Sequence, residues 1–303
     1  VTALDLTDPQ REASAELASL IAAPLAPTRR FLELPDGLHE NLPLEVYHER
    51  ILGVASKSAL DLVRRSPLHY KSWVDGATSE ETEALHFGSA LHCAQLEPER
   101  FARVYSAEPD FGDCRFKEPK ARRDQWRAEN KESLKLSARE AADIRGMVAS
   151  VRAHPVAGPM LEQGITEVTL KWRDQETGLT CKGRADHWGK GLSLCADLKS
   201  TVDASEYAFH RTIFKYGYDK QCAFYMDGFE ACGEPLQYFI FCAVEKTPPY
   251  AVAVDSCTPE VIDHARRQVR ESMRRLADCL ATGEFPGYSE NIRNVYLPSW
   301  MRD

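Results

Sequence analysis

Lys182-Gly183-Arg184-Ala185-Asp186, then the Gly-rich turn Trp188-Gly189-Lys190-Gly191, then Cys195-Ala196-Asp197-Leu198-Lys199-Ser200-Thr201 decide the reading of this chain. Two apolar–polar runs joined by such a turn predict a β-hairpin. Side chains alternate faces along a strand, so Asp197 and Lys199, two residues apart, project to one side. Pairing across the hairpin brings Asp186 beside them. Two carboxylates and an ammonium converging at a sheet edge suit a hard divalent cation and an activated water, the chemistry of phosphodiester hydrolysis.

Around the hairpin the pattern alternates strands and helices. Ile165 to Trp172 reads as a strand, followed by a turn at Glu176-Thr177-Gly178. Downstream come a helix near Ser205 to Phe214, a break at Gly217 and a helix from about Asp219 to Glu230. Two strands follow, over Gln237 to Val244 and Tyr250 to Asp255. Thr258-Pro259 makes an N-cap and first-turn pair for a long helix reaching about Ala281. Upstream, Ser56 caps a helix to about Arg65 that Ser66-Pro67 redirects. An apolar helix through Leu85 to Leu96 is closed by Glu97-Pro98, and Ala138 to Ala153 reads as a further helix. The resulting expectation is an α/β fold with a central mixed sheet flanked by helices. Residues 1–45 read as an N-terminal arm or linker with one short helix over Glu12 to Ala22, and 46–303 as a single domain. There is no internal repeat or low-complexity block.

Composition sets bounds on function. A chain of 303 residues, 43% hydrophobic and 28% charged, can bury a substantial core. The net charge of −8 argues against a protein that coats nucleic acid non-specifically, yet leaves room for an enzyme with its cations in one channel. No apolar run approaches a bilayer's thickness and no secretory signal opens the sequence, so no membrane association and a cytoplasmic location are expected. Nine cysteines contain no C-x-x-C pair, which points to buried thiols rather than a zinc ribbon or disulfide framework.

The ordered set of motifs resembles the PD-(D/E)XK nuclease superfamily, and within it the RecE-type (exonuclease VIII-like) phage and prophage exonucleases. Asp186 and Asp197-Leu198-Lys199 stand as the name-giving element, and Gln221 with Tyr225 as the Q-x-x-x-Y of the following helix. His92 within Gly88-Ser89-Ala90-Leu91-His92 matches the upstream histidine, and Glu167 the glutamate of the preceding strand. Narrower similarity to RecE covers Ser56 to Tyr70, Asp203-Ala204-Ser205, Tyr216-Gly217-Tyr218 and Pro298-Ser299-Trp300. The resemblance implies a restriction-endonuclease-like core and Mg²⁺-dependent, processive 5′→3′ digestion of linear duplex DNA, leaving 3′ single-stranded overhangs. Mn²⁺ is expected to substitute. It also implies a ring-shaped homo-oligomer on double-stranded DNA ends and a single-strand annealing partner of the RecT type. Some RecB-like relatives hold an iron–sulfur cluster; here Cys242, Cys257 and Cys279 are too dispersed for that pattern, and no cluster is expected.

Each residue is assigned a role on its chemistry. Asp186 and Asp197 are candidate ligands for Mg²⁺ or Mn²⁺, with His92 and the backbone carbonyl of Leu198 added by the resemblance. Lys199 is expected to orient and help deprotonate the attacking water and to offset charge on the phosphate. Glu167 either completes the shell through a water or lies on a polar strand face. Gln221 and Tyr225, i and i+4 on one helix face, are expected to position Lys199, the phosphate or a water. Lys117, Lys120, Arg122 and Arg123, interleaved with Phe111, Phe116 and Trp126, are candidate DNA-backbone contacts. Lys57 and Arg211 are weaker candidates of the same kind. An endonuclease or 3′→5′ nuclease on the same fold, or a DNA-binding subunit without catalysis, are the alternatives.

Overall fold

The computed structural model describes residues 29–77 and 82–296. In chain order the first elements are α1 (Arg30–Glu33), β1 (Gly37–His39), α2 (Leu44–Tyr47), β2 (Val54–Ala55), α3 (Lys57–Arg65), α4 (Pro67–Val74), α5 (Glu83–Leu96) and α6 (Pro98–Val104). There follow β3 (Tyr105–Glu108), α7 (Lys117–Glu129), β4 (Leu134–Ser137), α8 (Ala138–Ala153) and α9 (Ala157–Glu162). The second half holds β5 (Ile165–Arg173), β6 (Thr180–Gly189), β7 (Leu194–Thr201), α10 (Glu206–Tyr216), α11 (Tyr218–Ala231), β8 (Tyr238–Glu245), β9 (Val252–Ser256) and α12 (Pro259–Thr282).

Among the described residues a seven-stranded mixed sheet runs β1-β5-β6-β7-β8-β9, with β2 pairing to β6. The β7–β8 pair is parallel and the β5–β6–β7 meander antiparallel. One face packs on α3, α11 and α12 through a core that includes Leu170, Trp172, Cys195, Phe224, Phe229 and Phe241. The other face carries Ala196, Leu198, Cys242 and Val244 against Leu91 of α5 and Met147 and Val151 of α8. Alternation along β7 therefore sends Ala196 and Leu198 to one layer and Cys195 to the other, as period-two geometry requires.

Local signals account for most boundaries. Ser56 Oγ accepts from Ala59 N at 3.2 Å and opens α3, while Ser66 ends α3 and caps α4 ahead of Pro67. Ser137 and Glu140 form a reciprocal capping box on α8. Gly217, at φ +68°, is both the C-cap of α10 and the residue before α11, a left-handed position that favours glycine.

The folded body starts earlier than the 45/46 boundary expected from the sequence. Phe31 is fully buried with Val46, Ile51 and Val54, and β1 adds an edge strand to β5. Three residues of strand are too short for a period to show, which hid the element. The helix expected over Glu12 to Ala22 and the Pro298-Ser299-Trp300 ending lie outside the described residues. Residues 117–129, expected as a polar basic run, form a helix between the two strands of a small parallel pair, β3 and β4, and bury no residue. All nine cysteines are free and six are buried. No helix among the described residues is long and apolar enough to cross a membrane.

Candidate active site

The site sits where the sheet opens. β6 pairs with β7 only over His187↔Ala196, Trp188↔Cys195 and Gly189↔Leu194, and with β2 only at Thr180 and Cys181. Between these two partners the edge of β6 over 182–186 faces no strand. Buried backbone donors at such an opening must find other acceptors. The Leu198 N–H donates to Asp186 Oδ2 at 2.8 Å, and the Arg184 N–H donates to the Tyr225 hydroxyl at 3.3 Å. Two residues singled out from the sequence thus hold the strands apart at the point where the chemistry would take place.

At this junction His92, from α5, approaches Asp186 Oδ2 with Nδ1 at 3.2 Å. Ligand atoms of His92, Glu167 and Asp186 all lie within 4.8 Å of one another. Asp197 is buried beside them; Gln221 Nε2 donates to its Oδ1 at 2.6 Å, and its Oδ2 contacts the Lys199 ammonium. The ammonium also lies over the Tyr218 ring, 4.6 Å from its centroid. Leu198 lines the same cavity; N–H and C=O of one residue in a strand face the same side, so its carbonyl points into the opening as well. The cavity measures about 870 Å³ and is lined by His92, Glu167, Arg184, Asp186, Asp197 and Lys199 among others.

Electrostatics follow from crowding charges in a desolvated place. Burial raises Glu167, and the neighbouring Asp186 raises it further against Arg184. Burial likewise raises Asp197, against the pull of Lys199. Asp186 goes the other way: burial pushes it up, but His92, Lys199 and the Leu198 N–H outweigh that and hold it below the usual carboxylate range. Burial lowers Lys199, yet Asp197 and Asp186 prevail and the ammonium is held above its ordinary value. Three carboxylates and a histidine, with Asp186 raising the proton affinity of Glu167, make a donor set that fits a hard divalent cation.

The structure adds detail to several of these assignments. Gln221 reaches Asp197 rather than Lys199, and Tyr225 bonds to Arg184 N and to the Tyr47 hydroxyl, so it braces the opened strand. Asp197 and Asp186 hold Lys199 charged, which suits it to offset charge on a phosphate. Glu167 does not lie on a free polar face: it adopts φ +57° and pairs with Arg184 Nε at 2.5 Å. Lys117, Lys120, Arg122, Arg123, Lys57 and Arg211 do not line the cavity. Arg123 pairs with Asp124, Lys57 with Asp61 and the Tyr216 carbonyl, and Arg211 with the Tyr207 hydroxyl.

Three residues were given no role from the sequence. Arg184 ties Glu167 to Thr169 Oγ1 and to the Leu42 carbonyl. Its place two residues before Asp186, on the same strand face, was the available signal. Tyr218, directly after the Gly217 break, covers Lys199. Tyr47 comes from α2 with no sequence signal to connect it, and burial pushes its hydroxyl up to about 12.

One solved structure shares this fold. A candidate exonuclease of Eubacterium rectale superposes with a TM-score of 0.58 at 16% identity, covering 86% of this chain and 96% of that one. A phage-related exonuclease from Haemophilus somnus 129PT aligns at 11% identity over 75% of this chain and 95% of that one, with a TM-score of 0.32. No curated protein matches in sequence. The family model of the PDDEXK-like domain of unknown function (DUF3799) matches residues 56–297, which contain His92, Glu167, Arg184, Asp186, Asp197, Lys199, Gln221 and Tyr225. The chain belongs to that PDDEXK-like family.

Proposed function

We propose that this protein is a Mg²⁺-dependent deoxyribonuclease of the RecE type, digesting linear duplex DNA from its 5′ ends and leaving 3′ single-stranded overhangs. The observation that carries the proposal is the junction itself: Asp186, Asp197 and Lys199 meet His92 and Glu167 at the floor of an open, strand-splayed cleft. His92, Glu167, Asp186 and Asp197, with the Leu198 carbonyl, are the residues that would hold the cation, and Mn²⁺ suits the same donors. When bound, the cation supplies Lewis-acid polarisation of a phosphoryl oxygen and a lowered pKa for water.

The protein's own part is positioning and charge. The Lys199 ammonium, fixed by Asp197 and shielded by the Tyr218 ring, offsets charge that develops on the phosphate. Gln221 locks the Asp197 carboxylate through Oδ1, which leaves its other oxygen toward Lys199. Arg184 draws Glu167 to one side and limits the repulsion it exerts on Asp186. By the RecE resemblance the proposal extends to a ring-shaped homo-oligomer, a RecT-type annealing partner and a role in recombination.

The test is digestion of a linear duplex labelled separately at each 5′ and 3′ end, with Mg²⁺ or with EDTA, beside Lys199→Ala. Early release of 5′ label, intact closed circles and a dead Lys199→Ala protein are expected. Internal cuts or 3′ release would discard the RecE type and keep the nuclease. No Mg²⁺-dependent cleavage would discard the nuclease in favour of a DNA-binding subunit.

A further inference from the structure

α10 leaves the end of β7 beside the cleft and shows three distinct faces. Phe209 and Ile213 point into the core, and His210 turns to Asp255, with Nε2 and Oδ1 3.1 Å apart. Ala208, Thr212 and Tyr216, spaced i, i+4 and i+8, line the cleft. The remaining face carries Tyr207, Arg211, Phe214 and Lys215, all exposed, and it adjoins the cleft-lining face around the helix. Tyr207 is 74% exposed, Phe214 53% and Tyr216 52%. Three aromatic rings exposed on one eleven-residue helix contrast with the helix's own core-facing Phe209, which is fully buried.

Cations are interleaved with these rings. The Arg211 guanidinium lies 5.5 Å from the Tyr207 ring centroid and donates to its hydroxyl at 2.8 Å. Lys215 Nζ lies 5.1 Å from the Tyr216 ring. Glu206, in the first turn, is the single carboxylate of α10. Rings that offer a π-face, with positive charge between them, are what a single strand needs: bases stack and phosphates pair. Tyr207 and Phe214 are seven residues apart, about 10 Å along the axis, a span of a few nucleotides.

We infer that this face of α10 binds single-stranded DNA and guides the strand adjoining the scissile phosphate along the cleft. The inference rests on the nuclease reading for the identity of the polymer. A duplex would not use exposed rings in this way, because its bases are already stacked on one another. A second copy of this chain is the competing occupant; two copies joined α10 to α10 would have Glu206 alone to meet Arg211 and Lys215, whereas a strand offers each of them a phosphate.

The experiment is fluorescence anisotropy of a short labelled oligodeoxythymidine with the full chain in EDTA, where cleavage is blocked. Tyr207→Ala and Phe214→Ala are each expected to weaken binding by about fivefold or more, and the double variant by more still. Tyr207→Phe keeps the ring and should bind as the unchanged protein does; Arg211→Gln should flatten the salt dependence. All three substituted side chains are exposed, so melting temperatures should stay put, and Phe214→Ser replaces Phe214→Ala if that variant unfolds. Equal binding by the double variant would overturn the inference. So would unchanged binding combined with a smaller sedimenting species, which would assign the face to a second copy. Mg²⁺-dependent cleavage by the unchanged protein separates the two readings. Ring-dependent binding without cleavage sinks the nuclease and leaves the track, whereas cleavage with ring-independent binding does the reverse.

Discussion

Replacing Gln221 by Leu separates the two jobs that the Asp197 carboxylate performs. Gln221 Nε2 donates to Asp197 Oδ1 at 2.6 Å; the residues are 9% and 1% exposed, so water cannot substitute freely. A buried hydrogen bond to a charged group contributes roughly 1.5–3 kcal/mol, and one between neutral groups about 1. Burial already holds the Asp197 carboxyl above its ordinary 3.8, with Lys199 opposing. Removing a donor to the charged form raises it further. A carboxyl raised in the native state binds protons there that the unfolded chain has released, so it lowers stability as pH climbs from the unfolded value through the folded one. The metal-free variant should therefore lose roughly 1.5–3 kcal/mol near neutral pH and nearer 1 kcal/mol below 3.8. Urea unfolding at the two pH values reads this directly. Where Asp197 also holds the cation, loss of its hydrogen-bond support should weaken metal affinity roughly 10- to 100-fold. DNA cleavage by the variant should then recover as Mg²⁺ is raised. Equal losses at both pH values, or an unmoved Mg²⁺ titration with a lower plateau rate, would refute the reasoning.

Three further outcomes are expected. Burial lowers His92 but Asp186 outweighs it, so its net pKa lies above 6.5; the stability this pair contributes is complete below 6.5 and fades as pH rises through the folded value. Calorimetry should show the gap between metal-free protein and His92→Ala closing with pH, while stabilisation by Mg²⁺ grows as the imidazole loses its proton. Lys182 is lowered from 10.5 to about 8 by burial, although its ammonium donates to the Tyr47 and Glu49 carbonyls. The charged form is the disfavoured one, so stability relative to Lys182→Met should rise between pH 8 and 10.5 by up to about 3 kcal/mol in urea titrations; a fall there would contradict the burial. A Cβ on Gly228 would come 2.8 Å from the buried Trp172 ring, so Gly228→Val should cost roughly 1–3 kcal/mol of stability by overpacking α11 against β5, and an unchanged urea midpoint would count against that contact.

The elements themselves were legible because their signals are local. The capping serines of α3 and α8, the Gly217 break and the Thr258-Pro259 start each act within one turn of helix, and the structure places helix ends there. The alternation that joined Asp197 to Lys199 is likewise a property of neighbours. β1 and α1 were not legible, since a three-residue strand and a single helical turn carry too few positions to show a period; their evidence is tertiary, the burial of Phe31 and the pairing with β5. The basic run at 117–129 is the opposite case. Its charge is obvious, but charge does not report location: its helix stands between β3 and β4, and its cations do not line the cavity.

At the site, identity was legible and connectivity was not. The hairpin reading implied that Asp186 faces Asp197 across a closed ladder, whereas the ladder stops at His187↔Ala196. The closing residues would have been Asp186 and Asp197 themselves. A ladder that continued would have satisfied the Leu198 N–H with a backbone carbonyl of β6 and left no room for a cleft. Instead that N–H is taken by the Asp186 carboxylate, while the Tyr225 hydroxyl accepts from the Arg184 N–H. Opposite this point Glu167 occupies a left-handed conformation, strained for a residue with a Cβ, and Arg184 holds its carboxylate. The strain and the broken ladder belong to one device: the β5–β6 pairing skips Glu167 and Asp186, the β6–β7 pairing ends beside them, and three carboxylates turn toward one cavity. That arrangement depends on contacts from α2, α5 and α11, more than a hundred residues apart at the extremes, and no local pattern in Lys182 to Thr201 could have announced it.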